Sequence, residues 1–370
     1  MAERNADIII HGGGIAGLWT LARLKNLGYD TLLVEPNAIG GVQTIASQGI
    51  IHSGLKYALG GKLNSLAREI SAMPEIWRAA LNGEGPVDLS KAQVATETQY
   101  LMIPKGMLSG IMKLGAKSFL GSEVEKIKWP PEISASGFEG TLVDMSEPVL
   151  DIPSVVRALA EPYMDCIRKS ADGVAAKKYI YTAAEGNDES GIATQRRPLL
   201  MGLLKNAPFA VWAHFVGASD KPVATITTHK TEDGGLAWYI GGQVAERERN
   251  SNPDEVYDAI FAALKKYMPM AEIKDAELAV LPIDRVEAKP GAGVMPDAPV
   301  IYNKDDRIYA WPTKLTFAPM MADKIAEELT ADKILPSHNH TDWSFLPEVS
   351  YAQPPWETAQ WIKDKSDKRA

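Results

Sequence analysis

Regular structure begins with a continuous apolar run, "DIII" at residues 7–10, which is too short for a helix and lacks the alternation of a half-exposed strand. Such a run predicts a strand buried on both faces, as in a parallel sheet. "IAGLWTLARLKNLG" then carries its apolar positions at helical spacing and closes at Gly28 in the C-terminal capping position. "YDTLLVEP" is a second buried strand, stopped by Pro36. Strand, helix and strand within about thirty residues predict a parallel, right-handed pair.

Further on, the pattern alternates between classes. "GGKLNSLAREISAMPEIWRAAL" is helical with a break at Pro74, and Val87–Gly140 reads as short strands and turns. "LDIPSVVRALAEPYMDCI" is a helix with Pro153 near its start, and "KKYIYTAAEGN" is a buried strand entering a small-residue turn. From Arg196 to Pro282 the chain is strand-rich, with one helix in "NPDEVYDAIFAALKKYM". There Asn252 is the N-cap, Pro253 takes the first helical position and Glu255 suits a capping box. Val256, Ile260, Leu264 and Tyr267 form its buried stripe. "RIYAWP" is a strand and "TFAPMMADKIAEEL" a helix. The layout predicts an α/β chain, α+β overall, of two interleaved domains. A Rossmann-type parallel sheet takes residues 1–85, 143–199 and 298–332, and a mostly antiparallel sheet takes 86–142 and 200–297. Residues 333–370 are a tail.

Gly12, Gly14 and Gly17 spell G-x-G-x-x-G directly after the first strand and at the opening of the helix. In that place the first glycine permits the tight turn, the second lets the backbone approach a pyrophosphate, and the third lets helix and strand pack closely. Glu35 ends the second strand 18 residues after Gly17, where a carboxylate accepts from a ribose hydroxyl. A carboxylate there disfavours a 2′-phosphate, which leaves FAD or NAD ahead of NADP.

Composition narrows the classes. At 45% hydrophobic and 23% charged residues, the 370-residue chain is ordinary for a globular protein. A net charge of −8 argues against nucleic acid as the main partner. No stretch approaches the roughly 20 apolar residues of a spanning helix. The N-terminus lacks a signal-peptide pattern, so a cytoplasmic protein is expected. Cys166 is the only cysteine, which excludes an intrachain disulfide and a cysteine metal cluster.

An NAD domain continues with regular β-α units, whereas here the second strand runs into the glycine-rich "NAIGGVQTIASQGIIHSGLKYALGG". This segment resembles the FAD-dependent D-amino-acid-oxidase-like superfamily. It is closest in look to the L-2-hydroxyglutarate oxidase and dehydrogenase branch, whose run is matched by Ser47, Gly49, Ile51, His52, Gly54 and Tyr57. Glycerol-3-phosphate dehydrogenases share a looser version. "YIYTAAEGN" resembles the strand beneath the flavin-binding sheet, and "YAWPTKLTFAPMMADKIAEEL" the element whose helix N-terminus faces the flavin ring. The resemblance implies FAD as cofactor, with the discontinuous first domain binding it and the second binding substrate. It places Gly12, Gly14, Ile15, Ala16, Gly17, Glu35, Pro36, Thr44, Ser47, Gln48, Gly49, Ala184, Thr313, Lys314 and Leu315 around the cofactor. Two departures stand out. Trp311-Pro312-Thr313-Lys314 replaces a glycine-bearing turn, and the short stretch before Tyr179 lacks the small β-unit that contacts adenine.

The implied activity is hydride transfer to flavin from a small carboxylate-bearing substrate, a 2-hydroxy acid first. Amino acids or amines are the second reading, and a non-catalytic dinucleotide-binding protein is the third. His52 is the candidate base for the substrate hydroxyl, its rival role being a hydrogen bond to flavin or a backbone carbonyl. Lys314 is the candidate cation beside the flavin, and Arg196, with Arg197 next to it, the candidate carboxylate clamp. Lys56 and Tyr57 are further candidates for the same site, Tyr57 equally for the core, whereas His214, on an alternating strand, reads first as a core histidine and second as one facing the flavin's substrate side. His338 and His340 lie in a polar tail where no metal is expected. Trp343, Trp356 and Trp361 read as a strap against the body or an oligomer contact. Oxygen and a quinone or other carrier both remain as electron acceptors.

Overall fold

The computed structural model describes residues 4–53, 70–107, 127–219, 221–273, 276–289, 298–312 and 314–363. Its first strands in chain order are β1 (Arg4–His11), β2 (Thr31–Val34), β3 (Ala38–Ile39), β4 (Val94–Thr96), β5 (Tyr100–Pro104) and β6 (Gly140–Asp144). Then come β7 (Val149–Leu150), β8 (Ile167–Arg168), β9 (Val174–Tyr181), β10 (Thr194–Lys205), β11 (Ala213–Phe215) and β12 (Ala224–Lys230). The last are β13 (Leu236–Gly241), β14 (Glu277–Ala288), β15 (Val300–Lys304), β16 (Arg307–Trp311), β17 (Ser350–Tyr351) and β18 (Ile362–Lys363).

The apolar run of β1 lies at the centre of a six-stranded sheet in the order β15-β16-β9-β1-β2-β8. Every neighbouring pair is parallel except the β15–β16 hairpin at one edge. The helix Ile15–Asn26 makes the crossover from β1 to β2 and packs with the helices Ile152–Ala160 and Ala318–Ala331 over one core. Burial of Ile8, Ile9 and Ile10 to 1% exposure or less explains the absence of alternation in the sequence.

A second, eight-stranded sheet has the order β18-β14-β10-β13-β12-β11-β5-β6. Most of its pairs are antiparallel, but β5 and β11 run parallel, so the sheet is mixed. Side chains alternate across it. Leu200, Leu204, Ile226, Trp238 and Ile240 pack with Val256, Ile260, Leu264 and Tyr267 of the helix Pro253–Tyr267. The predicted cap holds: Asn252 accepts from Asp254 N at 3.1 Å with Pro253 in the first turn. The expected break falls at Pro74: helical residues 70–71 end in a turn at Ala72, and a new helix, Met73–Leu81, starts with Pro74 in its first turn, where its missing N–H costs nothing.

The tail adds an edge strand to the eight-stranded sheet and forms a separate two-stranded ribbon. β17 pairs with β3 and β18 with β14, while Trp343 and Trp356 are buried. Trp356 stacks on His229 at 3.8 Å between ring centroids, on the sheet face opposite the helix. Burial pushes the His229 imidazole down to about 3. Below its ordinary value of about 6.5 the unfolded chain takes a proton that the folded chain refuses, so stability falls as pH drops from about 6.5 toward 3. Urea unfolding at pH 7 and pH 5 is expected to show a loss of up to about 2 kcal/mol that His229→Phe reduces. An equal loss in both proteins would exclude His229 as its source.

Candidate active site

At the end of β1, Gly12 adopts φ +109°, and a Cβ there would stand 2.8 Å from the Ala183 backbone. Only glycine fits where β9 and the turn at Ala184 press so closely. A Cβ on Gly17 would meet Gly12 O at 1.9 Å, which fixes the third glycine by packing. Gly14, Ile15 and Ala16 open the helix, and its first turn carries no acidic residue. A helix start of this kind suits an anion.

Surrounding residues hold this cradle in shape. Glu35 Oε2 accepts from Gly13 N at 2.8 Å and Oε1 from Asn37 N at 2.9 Å, with Pro36 exposed between. Thr44 Oγ1 accepts from Ile15 N at 3.0 Å. Ser47 Oγ and Trp311 Nε1 are buried and have no partner among the described residues. The glycine-lined helix start, together with these two polar atoms, fits an extended phosphate-bearing cofactor with a polar ring system. Placing a methyl at Gly14 brings it to Thr44 Oγ1 at 3.0 Å and no closer to backbone. Gly14→Ala is accordingly expected to fold but to purify largely without flavin, read from the absorbance near 450 nm relative to protein (~10-fold lower). Full flavin content would contradict this role.

The loop after Ser47 crosses to the second sheet. Gln48 Nε2 donates to Thr225 O at 2.9 Å and Tyr239 O at 3.0 Å, and Tyr239 Oη donates to Ala46 O. Gly49 was expected to leave room for a cofactor. Its own neighbour is instead Leu150 O, 2.2 Å from an added Cβ, because residues 49–51 pair with 148–150. That pairing sets His52 beside Glu147.

Glu147 is fully buried. Its Oε2 lies 3.1 Å from His52 Nδ1 and accepts from Gln99 Nε2 at 2.8 Å. Its Oε1 accepts from Ser53 N at 2.7 Å and Ser53 Oγ at 2.8 Å. All four contacts are ones that an ionised carboxylate takes, and they fix the Nδ1–H tautomer of His52. His214 is not mere core: its ring stacks 6.2 Å from that of His52, and its Nδ1 lies 2.7 Å from Thr225 Oγ1. Ligating atoms of His52, Glu147 and His214 all lie within 4.8 Å of one another. Thr316 Oγ1 accepts from His52 N at 3.3 Å, and Trp77 Nε1 donates to Thr316 O at 2.9 Å. Thus the turn bearing Lys314 and Leu315, ahead of the helix Ala318–Ala331, adjoins His52. Lys314 Nζ is buried, 5.7 Å from the Phe317 ring centroid.

Arg196 does not serve as the expected clamp. It points away from the face that carries His214 and pairs with exposed Glu185 at 2.8 Å. Alternation gives the inward face to Arg197, which bonds Glu287 and stands opposite Arg285 in the β10–β14 register. Burial first, then the Arg197 guanidinium, depress the pKa of Arg285. The carboxylates of Glu287 and Glu246 act on Arg285 in the opposite sense. Thr313, Gly54, Lys56 and Tyr57 lie outside the described residues. His338 and His340 gather no third ligand among the described residues, and His338 N donates to Gly28 O. Cys166 is buried with its thiol pushed up to about 12, so it is no nucleophile. Among the described residues no helix is long and apolar enough to cross a membrane.

Residues 7–163 match the family model described as FAD dependent oxidoreductase, DAO. A probable FAD-dependent oxidoreductase of Pseudomonas aeruginosa, PA4991, is 37% identical over 386 aligned positions, spanning 96% of this chain and 98% of that protein. The chain belongs to the DAO family of FAD-dependent oxidoreductases. The PA4991 crystal structure superposes on this DAO-family chain with a TM-score of 0.82 at 33% identity, over 96% of this chain and 98% of that one. Glycine oxidase from Geobacillus kaustophilus follows with TM-score 0.63 at 12% identity, covering 97% and 100% of the two chains. L-alpha-glycerophosphate oxidase from Mycoplasma pneumoniae, with FAD bound, gives 0.62 at 15% identity over 88% and 95%. These last two likenesses establish the shared fold. As a DAO-family enzyme the protein uses FAD, and the cradle from Gly12 to Ser47 is where its residues fit that cofactor.

Proposed function

We propose that this enzyme oxidises a 2-hydroxy acid to the 2-oxo acid, with His52 as the base, between the FAD-binding sheet and a substrate-binding roof of residues 86–142 and 200–297. The observation that carries the reading is the buried Glu147 gripping His52 Nδ1. Removing hydride from an alcohol carbon requires the hydroxyl proton to leave as well, and a neutral imidazole held in one tautomer suits that step. Bound FAD supplies the hydride acceptor.

With Nδ1–H directed at Glu147, Nε2 is the His52 atom suited to take the substrate's O–H proton. As that proton arrives, positive charge develops on the ring beside a carboxylate already in place, with no reorganisation needed. The O–H bond electrons become the second C–O bond while the C–H pair departs as hydride, so the alcohol loses two electrons and two hydrogens. Lys314 next to the His52 turn, and the Arg197–Arg285 pair on the inward sheet face, support an anionic substrate. Lys314 is also suited to the flavin's electron-rich edge, the role the resemblance gives it.

Anaerobic mixing of the yellow protein with a panel of 2-hydroxy acids and the matching 2-amino acids tests this reading. Flavin bleaching by hydroxy acids, at least about 10²-fold faster than by their amino counterparts, is expected. Bleaching by amino acids alone would move the enzyme to amine chemistry, for which a hydroxyl base is unnecessary.

A further inference from the structure

Two buried polar atoms have no partner among the described residues: Oε1 of Gln99, whose amide nitrogen contacts Glu147, and Nε1 of Trp212, just ahead of the neighbouring strand. Gln99 is fully buried, and its orientation is dictated chemically. Its amide nitrogen donates to Glu147 Oε2 at 2.8 Å, and because a carboxylate only accepts, the amide cannot be turned round. Oε1 is therefore fixed on the other side as an acceptor. Trp212 presents the opposite sense, an indole N–H that only donates.

Backbone register brings the two together. β5 and β11 run parallel with Ala213 opposite Tyr100, and Tyr100 N donates to Trp212 O at 3.0 Å. One step back along both strands, Trp212 lies beside Gln99. Alternation puts both on the face that carries His214, two residues beyond Trp212. Leaving a buried donor and a buried acceptor unmet is unfavourable, and sites that keep such atoms do so for a ligand or a water.

We propose that Gln99 and Trp212 form a second recognition point, which reads a hydroxyl group on the substrate carbon next to the reacting one. A carboxylate cannot satisfy Gln99 Oε1, an ammonium cannot satisfy Trp212 Nε1–H, and a methyl satisfies neither. A hydroxyl oxygen does both. Together with the proposed oxidation of a 2-hydroxy acid, on which the reacting group rests, this names a 2,3-dihydroxy acid as the substrate class.

The recognition can be tested without turnover, so its failure is separate from that of the oxidation itself. Titration of the holoenzyme with 3-hydroxypropanoate and with propanoate, followed by the flavin absorbance, gives two dissociation constants. The hydroxylated acid should bind about 10-fold tighter, and Trp212→Phe, which keeps an aromatic ring but removes the N–H, should bring the ratio close to one. Flavin content of the variant monitors its fold. Equal affinities in the wild-type protein, no measurable binding of either acid, or a ratio that Trp212→Phe leaves unchanged would overturn the proposal. A resident water bridging the two atoms produces the first or the last of these results.

Discussion

His52→Gln is expected to leave the protein yellow while slowing substrate-driven flavin reduction by about 10²- to 10⁴-fold, the usual worth of a general base. The variant keeps a polar side chain of similar reach toward Glu147, so the loop's anchor through the Thr316 hydroxyl should survive, because it is made by the His52 backbone. What is lost is the lone pair that accepts the hydroxyl proton. Reduction should then lose the acid limb of its pH profile, since no imidazole remains to be disabled by protonation. Loss of FAD, or unchanged reduction with flavin retained, would take the base away from His52.

Glu147→Gln should act on rate and on stability at once. One of its two terminal atoms becomes a donor, whereas the carboxylate accepts from His52 Nδ1 and Gln99 Nε2 on one oxygen and from Ser53 N and Oγ on the other. An NH2 in place of Oε1 faces the Ser53 N–H, and one in place of Oε2 is met only if His52 changes tautomer and the Gln99 amide turns round, so a cost of about 1 to 3 kcal/mol in unfolding free energy is expected. The negative charge that balances a developing imidazolium also disappears, so reduction should slow by about 10². Thermal unfolding and anaerobic stopped-flow on the same preparation read both effects. A variant as stable and as fast as the parent would mean that the four contacts contribute little.

The two predictions differ in how visible their residues are along the chain. His52 stands in a run whose neighbours advertise a cofactor loop, and the β-α-β start is fully local: an uninterrupted apolar strand, a glycine turn and a helical stripe. Glu147 has no such surroundings. It lies 95 residues from His52, between Ser146 and Pro148, and becomes a partner only when residues 49–51 pair with 148–150. Gln99 is equally silent, for its role depends on that same carboxylate. His214 gave a partial signal, an imidazole on an alternating strand, but alternation alone does not say which face meets the cofactor sheet. The same ambiguity misplaced the arginine: Arg196 and Arg197 are adjacent, and a one-residue choice of register decides which of them points inward. The tail's two short strands were invisible for another reason, since two-residue pairings carry no period.

Glu147 works through His52, and combining the two substitutions measures this directly. If the carboxylate serves only to hold and charge-balance the imidazole, it has nothing left to support once His52 is glutamine. His52→Gln with Glu147→Gln should then reduce flavin within about threefold of the rate of His52→Gln alone, as residues acting as one unit do. A double variant slower than His52→Gln by the full factor of about 10² would show two independent contributions and contradict the claim.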